Sequence, residues 1–294
     1  MTDTRTESIA VLGAGTLGWQ IALTFALRGV PVRLYDVAPD ALARGMALLR
    51  TELESRIAAG EAPPDTDGTI RHVTPYTSLA DALDGAWLAI EAIPERLELK
   101  RDFFAELSAL AGPEVVFASN SSSYKSRAFA DVTRHPERLL NMHFYGRPWR
   151  RPAVELMTCG QTDPAVIERV RNFLLSCGLR PFVCRGESTG FLFNRIWHAV
   201  KQESLRVVAE GHATPAEIDE LWRIVMGADP DGPFARMDRV GLDVVLDIER
   251  HYAAESGLER DRPPRFLEAM VARDELGVKT GRGFYEYDEH DDRA

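Results

Sequence analysis

Lysine is nearly missing from this 294-residue chain. Only Lys100, Lys125, Lys201 and Lys279 occur, and arginine supplies the rest of its 35 basic side chains. The basic residues are outnumbered by 45 acids, which leaves a formal net charge of -10. That balance argues against nucleic acid or an anionic membrane surface as a partner. Any anionic ligand must be held by local positive charge working against the overall field. Cysteine is scarce as well: Cys159, Cys177 and Cys184 are odd in number and show no paired metal-ligand spacing. They read as reduced thiols in the core of a cytoplasmic protein, and no metal site is expected. No apolar run is long enough to span a bilayer, and no basic-then-apolar leader opens the chain.

What is present begins at Ser8-Ile9-Ala10-Val11-Leu12-Gly13-Ala14-Gly15-Thr16-Leu17-Gly18. This reads as a strand, a glycine turn and a helix start, and a second strand, Val32-Arg33-Leu34-Tyr35, ends on Asp36. Each glycine has its own task in binding a dinucleotide. Gly13 permits the tight turn, Gly15 lets a pyrophosphate approach the backbone, and Gly18 lets the helix pack closely on the sheet. Amides near Thr16 and Leu17 then face the phosphates along the favourable end of the helix dipole. Asp36 stands at about the 20-residue spacing of a group that accepts the ribose hydroxyls. A carboxylate there repels a 2′-phosphate, which selects NAD over NADP.

From Ser8 to about Arg185, short β-rich runs alternate with helical ones, so a largely parallel sheet covered on both faces is expected. Strands are predicted at 8–13, 32–36, 70–74, 86–91, 114–119, 138–144, 153–158 and 180–184, and helices at 16–29, 39–59, 95–111 and 164–177. Turn and breaker residues mark 60–68 as a loop. Strand signals then stop. A long amphipathic segment runs from Phe191 to about Glu210, Thr214 and Glu217 form a capping box, and further helices are predicted near 237–255 and 263–276. The reading is an α/β Rossmann-type doubly wound sheet over 1–186, followed by an all-α domain over 187–294. So small a helical domain cannot bury all its apolar faces, which suggests a homodimer formed through it. The first seven residues are polar and read as loose, and the charged tail 288–294 as frayed.

Six of the seven histidines (His72, His135, His198, His212, His251 and His290) fall on predicted helices, loops or the tail. His143 ends a predicted strand, and open α/β sheets bind ligands beyond the carboxyl ends of their strands. Glu155 lies twelve residues later inside an apolar strand, where an acid is costly without a partner. If the two runs pair as a hairpin, Glu155 accepts from His143, fixes its tautomer and makes it a general base. Otherwise they are a solvated histidine and an edge-strand acid. The run Ser119-Asn120-Ser121-Ser122-Ser123 at another strand end either bonds a substrate or caps the following turn. Asn194, near the start of the long C-terminal helix, is a candidate substrate contact.

Taken together these residues resemble the 3-hydroxyacyl-CoA dehydrogenase family over nearly the whole length, from Gly13 to the closing Gly277-Val278-Lys279-Thr280-Gly281-Arg282-Gly283-Phe284-Tyr285. The resemblance implies NAD-dependent interconversion of 3-hydroxyacyl and 3-oxoacyl thioesters, the chemistry of fatty acid metabolism. It makes His143 the catalytic base and Glu155 its orienting acid. It places a substrate- and cofactor-contacting serine at Ser122 and a substrate-contacting asparagine at Asn194. It assigns cofactor contacts to Glu95, Lys100 and Lys279. One segment departs from the family pattern His-Phe-x-Asn-Pro: here His143-Phe144-Tyr145-Gly146-Arg147-Pro148-Trp149-Arg150-Arg151 puts Gly146 where the family has a cofactor-contacting asparagine. Arg147, Arg150 and Arg151 either bind an extra anionic group on the substrate or form a solvated rim. The segment 39–68 also lacks the lysine-rich stretch that often meets the CoA 3′-phosphate, although Arg44, Arg50 and Arg56 remain. A free hydroxy acid or a carrier-protein ester therefore stands beside CoA as the alternative substrate. A cofactor-binding protein without turnover is the reading from a different class, and the intact Ser122, His143, Glu155 and Asn194 set argues against it.

Overall fold

In the computed structural model, residues 7–227 and 231–287 are described. Residues 1–6 of the polar opening and the charged tail with His290 lie outside them. The chain divides into two compact units, Met1–Leu192 and Phe193–Ala294.

The first unit holds eight strands: β1 (Ser8–Leu12), β2 (Val32–Tyr35), β3 (Val73–Tyr76), β4 (Ala86–Glu91), β5 (Val116–Ser119), β6 (Leu139–Phe144), β7 (Ala153–Thr158) and β8 (Arg180–Cys184). Its helices are α1 (Gly18–Ala26), α2 (Pro39–Ala58), α3 (Thr66–Ile70), α4 (Leu79–Leu83), α5 (Leu97–Leu110) and α6 (Pro164–Ser176). Every residue of β4, β5 and β6 is buried. Continuous burial of this kind belongs to strands covered on both faces. The strands form one sheet in the order β3-β2-β1-β4-β5-β6-β7-β8. The pairings from β3 through β6 are parallel, β7 runs antiparallel to β6, and β8 is parallel to β7. Strand order reverses between β1 and β4, where such sheets open a crevice at their carboxyl ends. One face is filled around Phe25, Trp87 and Phe173, and the other around Phe104 stacked on Phe129 with ring centroids 4.4 Å apart. The expected Rossmann-type α/β sheet followed by an all-helical unit is what forms.

Local structure differs in several places, and α4, capped by Ser78, forms where no helix was predicted. The predicted loop 60–68 ends in α3, because the Asp65 carboxylate accepts from the Gly68 N–H at 2.7 Å and caps a short helix. Asp, Thr and Gly serve turns and helix caps alike, so composition cannot separate the two. The strand predicted at 70–74 lies at Val73–Tyr76 and runs through Pro75, which is tolerated because β3 is an edge strand. The helix predicted at 237–255 is two helices, α9 (Pro233–Val240) and α10 (Leu242–Ser256), broken at Gly241 with φ +98°.

The second unit also contains α7 (Phe193–Ala209), α8 (Pro215–Met226) and α11 (Arg265–Ala272). The capping box at Thr214 and Glu217 is present at the start of α8. Two buried acids tie this unit together. Asp219 accepts the Phe234 and Ala235 N–H groups at the start of α9 and the Tyr285 hydroxyl. Asp238 accepts the Phe284 and Tyr285 N–H groups and the Tyr287 hydroxyl. The closing glycine motif therefore folds onto Asp238, where a Cβ at Gly283 would meet Asp238 Oδ1 at 2.2 Å. Among the described residues no helix is long and apolar enough to cross a membrane.

Candidate active site

The β1–α1 turn shows why its three glycines are separate requirements. Gly13 has φ +112°, and a Cβ there would meet the Ala92 carbonyl oxygen at 2.6 Å. A Cβ at Gly18 would lie 1.7 Å from the Gly13 carbonyl oxygen, so the helix can start this close to the turn only with glycine. Gly15 is different: nothing stands within 4 Å of the Cβ position, and the backbone there is open to a ligand. Gly13, Gly15, Thr16, Leu17, Asp36, Glu95, Lys100 and Ser122 all line one cavity of ≈ 830 Å³, together with Glu91 and Asn120. The Asp36 carboxylate is held at the end of β2 by the N–H groups of Ala14 and Ala38, both at 2.9 Å. Arg33 cannot serve a 2′-phosphate from its present position. Its guanidinium donates to the Asp81 and Ala82 carbonyls and lies over the Tyr76 ring. An open glycine turn, a helix start and a carboxylate in one cavity fit NAD.

Glu91, the last residue of β4, is fully buried beneath this cavity. Lys100 Nζ donates to it at 2.6 Å and also pairs with Glu95 at 3.1 Å. Ser119 Oγ donates to the second Glu91 oxygen at 2.6 Å, and Ser121 Oγ to Glu95 at 2.5 Å. Burial pushes the Glu91 carboxyl up against the opposing pull of Lys100. Burial also raises Glu95, but Lys100 and the hydrogen bonds from Ser121 and Ser123 outweigh it and leave its carboxyl below the ordinary range.

His143 and Glu155 stand directly opposite each other on antiparallel β6 and β7, and so on one face of the sheet. His143 Nδ1 and Glu155 Oε2 are 3.1 Å apart, with only 5 % and 3 % of the two residues exposed. Glu155 has further donors: Tyr145 Oη reaches Oε2 at 2.6 Å, and the Leu192 N–H reaches Oε1 at 2.9 Å. Phe191 stacks on the imidazole at 4.9 Å between centroids, so the segment after β8 packs with the first unit. Asn120 links the two regions. It lines the cofactor cavity, and its Oδ1 accepts the N–H of Phe144, the residue after the histidine, at 2.8 Å.

The other sequence candidates are placed as follows. Gly146 has open space around its Cβ position. Arg147 adopts φ 57° and its N–H donates to Gln20 Oε1, while Arg147, Arg150 and Arg151 are exposed. The loop they occupy is pinned by Trp149, which packs near Trp19 and under the Arg56 guanidinium. That use buries Arg56, whose other partner is Glu61 at 3.1 Å, and leaves Arg44 exposed on α2. Asn194 and Lys279 belong to the second unit, where Asn194 is half-buried in the first turn of α7 and Lys279 Nζ pairs with Asp243.

Comparison with known families decides the kinship. Residues 8–188 match the model of the 3-hydroxyacyl-CoA dehydrogenase NAD binding domain, and residues 190–287 match that of the 3-hydroxyacyl-CoA dehydrogenase C-terminal domain. The chain belongs to the 3-hydroxyacyl-CoA dehydrogenase family. It is an NAD-dependent oxidoreductase of the hydroxyacyl-CoA class. It is 34 % identical to the 3-hydroxybutyryl-CoA dehydrogenase of Clostridioides difficile, with 95 % of this chain and 99 % of the relative covered. It is 31 % identical to the 5-formyl-3-hydroxy-2-methylpyridine 4-carboxylate 5-dehydrogenase of Mesorhizobium japonicum, over 96 % of this chain and 91 % of that protein. The crystal structure of (S)-3-hydroxybutyryl-CoA dehydrogenase from Ralstonia eutropha superposes with a TM-score of 0.90 at 31 % identity, covering 97 % of this chain and all of the other.

Within this family framework, sequence reasoning missed Glu91, Asn120, Tyr145 and Phe191. Glu91 carried the same signal that exposed Glu155, an acid at the end of the apolar run Ala86-Trp87-Leu88-Ala89-Ile90. Asn120 stood in a run noticed for its serines. Tyr145 and Phe191 carried no signal, since their contacts depend on how loops fold back onto the sheet.

Proposed function

We propose that the protein interconverts a 3-hydroxyacyl-CoA and its 3-oxoacyl form, with His143 as the proton acceptor, Glu155 as its orienting acid, and Ser122 and Asn194 holding the substrate oxygens. The observation that carries this reading is the buried 3.1 Å contact between His143 Nδ1 and Glu155 Oε2. With Nδ1–H committed to the carboxylate, Nε2 of the neutral imidazole is the atom left to take the hydroxyl proton. The amides around Gly15, Thr16 and Leu17 would hold the pyrophosphate, and Asp36 the ribose hydroxyls. Bound nicotinamide supplies the hydride acceptor. Glu155 stabilises the imidazolium that forms as the hydroxyl proton arrives, and loss of so positioned a base costs roughly 10²–10⁴ in rate. The buried Glu91 fixes Lys100 at the floor of the same cavity, which keeps the ammonium in place for a cofactor contact.

The second unit is proposed to form a homodimer. On α8, Leu221, Ile224, Val225 and Met226 are exposed, with Ile224 at 71 % and Val225 at 70 %. A run of apolar side chains of that exposure is unusual on a monomer surface. That Cys159, Cys177 and Cys184 are buried thiols outside any disulfide supports a cytoplasmic setting.

The test is oxidation of NADH by acetoacetyl-CoA, followed by nicotinamide absorbance, in the wild type and His143→Ala. Turnover that collapses in the variant supports the reading; equal rates overturn it. A second reading, a substrate carrying an extra carboxylate, is favoured by the exposed Arg147, Arg150 and Arg151 directly after the histidine and by the carboxylate in the name of the Mesorhizobium relative's substrate. Under that reading Arg151→Ala loses preference for carboxylated over neutral hydroxyacyl substrates, and unchanged preference ends it.

A further inference from the structure

Glu155 Oε2 is shared by two donors of unequal closeness. Tyr145 Oη lies 2.6 Å from it and His143 Nδ1 lies 3.1 Å from it. Charge-assisted O–H···O⁻ bonds cluster near 2.5–2.7 Å, and N–H···O bonds near 2.9–3.0 Å. The phenol contact therefore has the length of a strong bond, and the imidazole contact is long for its kind. We propose that Tyr145 is a positioning residue of the proton-transfer pair: its hydroxyl donates to the oxygen that His143 uses and holds down the negative charge offered to the imidazole. The inference rests on the reading of His143 as the base and adds a residue that the family pattern His-Phe-x-Asn-Pro leaves open.

The phenol also touches the imidazole itself. Tyr145 follows the end of β6, and its ring meets the imidazole edge-on at 4.8 Å between centroids. Strand β8 sets Phe182 opposite Glu155, the segment beyond it lays Phe191 on the imidazole, and its Leu192 N–H takes Oε1. The nearest charged side chains on the hairpin, Arg147, Arg150 and Arg151, are exposed. Burial and the adjacent carboxylate push the Tyr145 hydroxyl far above the usual phenol range, so it remains a donor throughout the working range of pH. A donor that never leaves withdraws a constant share of the carboxylate's charge. Hydrogen bonding to the charged form of a carboxylate stabilises that form and reduces what it gives to a second partner. His143 consequently takes the substrate's hydroxyl proton less avidly and, in the reverse direction, returns it more readily.

Tyr145→Phe keeps the ring and removes the hydroxyl alone. The expected result is that the acid limb of kcat/KM for hydroxyacyl oxidation moves to higher pH by about half to one pH unit, the size of effect one hydrogen-bonding partner has on a neighbouring titration. The His143 Nδ1–H proton resonance should also move downfield as its bond to Glu155 shortens. Glu155→Gln, which removes the carboxylate charge, should move the same limb to lower pH. A Tyr145→Phe enzyme with an unmoved limb and an unmoved resonance overturns the inference, including when KM alone rises, which is what a purely structural tyrosine would give. If Tyr145→Phe and Glu155→Gln both leave the limb in place, it is the reading of His143 as the base that fails. If only Glu155→Gln moves it, that reading stands and the role of Tyr145 does not.

Discussion

Replacing Glu155 by glutamine tests the site at its centre, because the side chain keeps its shape and loses its charge. With His143 in its proposed role as base, an imidazolium forming there faces a carboxylate oxygen 3.1 Å from Nδ1. At an effective dielectric constant near 20, that separation gives an attraction of about 5 kcal/mol. The glutamine oxygen can still accept from Nδ1–H, which returns about 1 kcal/mol. The remaining deficit of about 3–4 kcal/mol corresponds to a fall in kcat of roughly 10²–10³. Stability should fall as well. The amide oxygen cannot satisfy the donors on both carboxylate oxygens, so placing it toward His143 and Tyr145 turns the –NH2 group against the Leu192 N–H. A buried donor facing a donor costs about 1–3 kcal/mol. Stopped-flow measurement of nicotinamide reduction at saturating 3-hydroxybutyryl-CoA reads the first effect, chemical denaturation reads the second, and NADH fluorescence titration should show cofactor affinity unchanged. A kcat within threefold of wild type, with NADH affinity retained, would refute the electrostatic role assigned to Glu155.

Three other perturbations have defined outcomes. In the second unit, burial raises the Glu249 carboxyl, but His198 and Lys201 outweigh it and hold it below the ordinary range. Its stabilising contribution is therefore present above the ordinary glutamate range and is lost as pH falls through it. Glu249→Gln strands the buried Lys201 ammonium at a cost of about 3–5 kcal/mol, and the gap in melting temperature from wild type should narrow on acidification; a gap constant with pH would contradict this. Asp36→Ala removes the charge that repels a 2′-phosphate, so the ratio of kcat/KM for NAD over NADP should drop by at least about tenfold, a loss of 1.4 kcal/mol of discrimination. Light scattering after size-exclusion chromatography should show Val225→Glu shifting the proposed dimer to monomer, while a monomeric wild type would end the assembly reading.

The sheet and its nucleotide turn were legible in the sequence because each rests on local rules. Gly13 and Gly18 are forced by close backbone approach, Gly15 keeps the turn open, and Asp36 stands one strand and one helix away. His143 and Glu155 were legible for a different reason. His143 stood at the carboxyl end of a strand, where open sheets bind ligands, Glu155 was an expensive acid within its own strand, and an antiparallel pairing joins them. The same argument applied to Glu91 would have located its buried lysine partner. Loop contacts were not legible. The Tyr145 hydroxyl and the Leu192 amide reach Glu155, and the Phe191 ring reaches His143, through chain paths that no periodicity encodes. The break at Gly241 and the short helix after Asp65 also escaped, since glycine and aspartate mark turns and helix ends equally well.

The pairing of β6 with β7 has an evolutionary consequence. The histidine and its acid are aligned by ladder hydrogen bonds between two interior strands, so their alignment does not depend on the connecting turn beyond Tyr145. Residues 146–152 can be rewritten, as their arginines and tryptophan attest, without disturbing the alignment of that pair. Selection can thus retune what the enzyme accepts in one short stretch while the proton-handling apparatus is inherited intact.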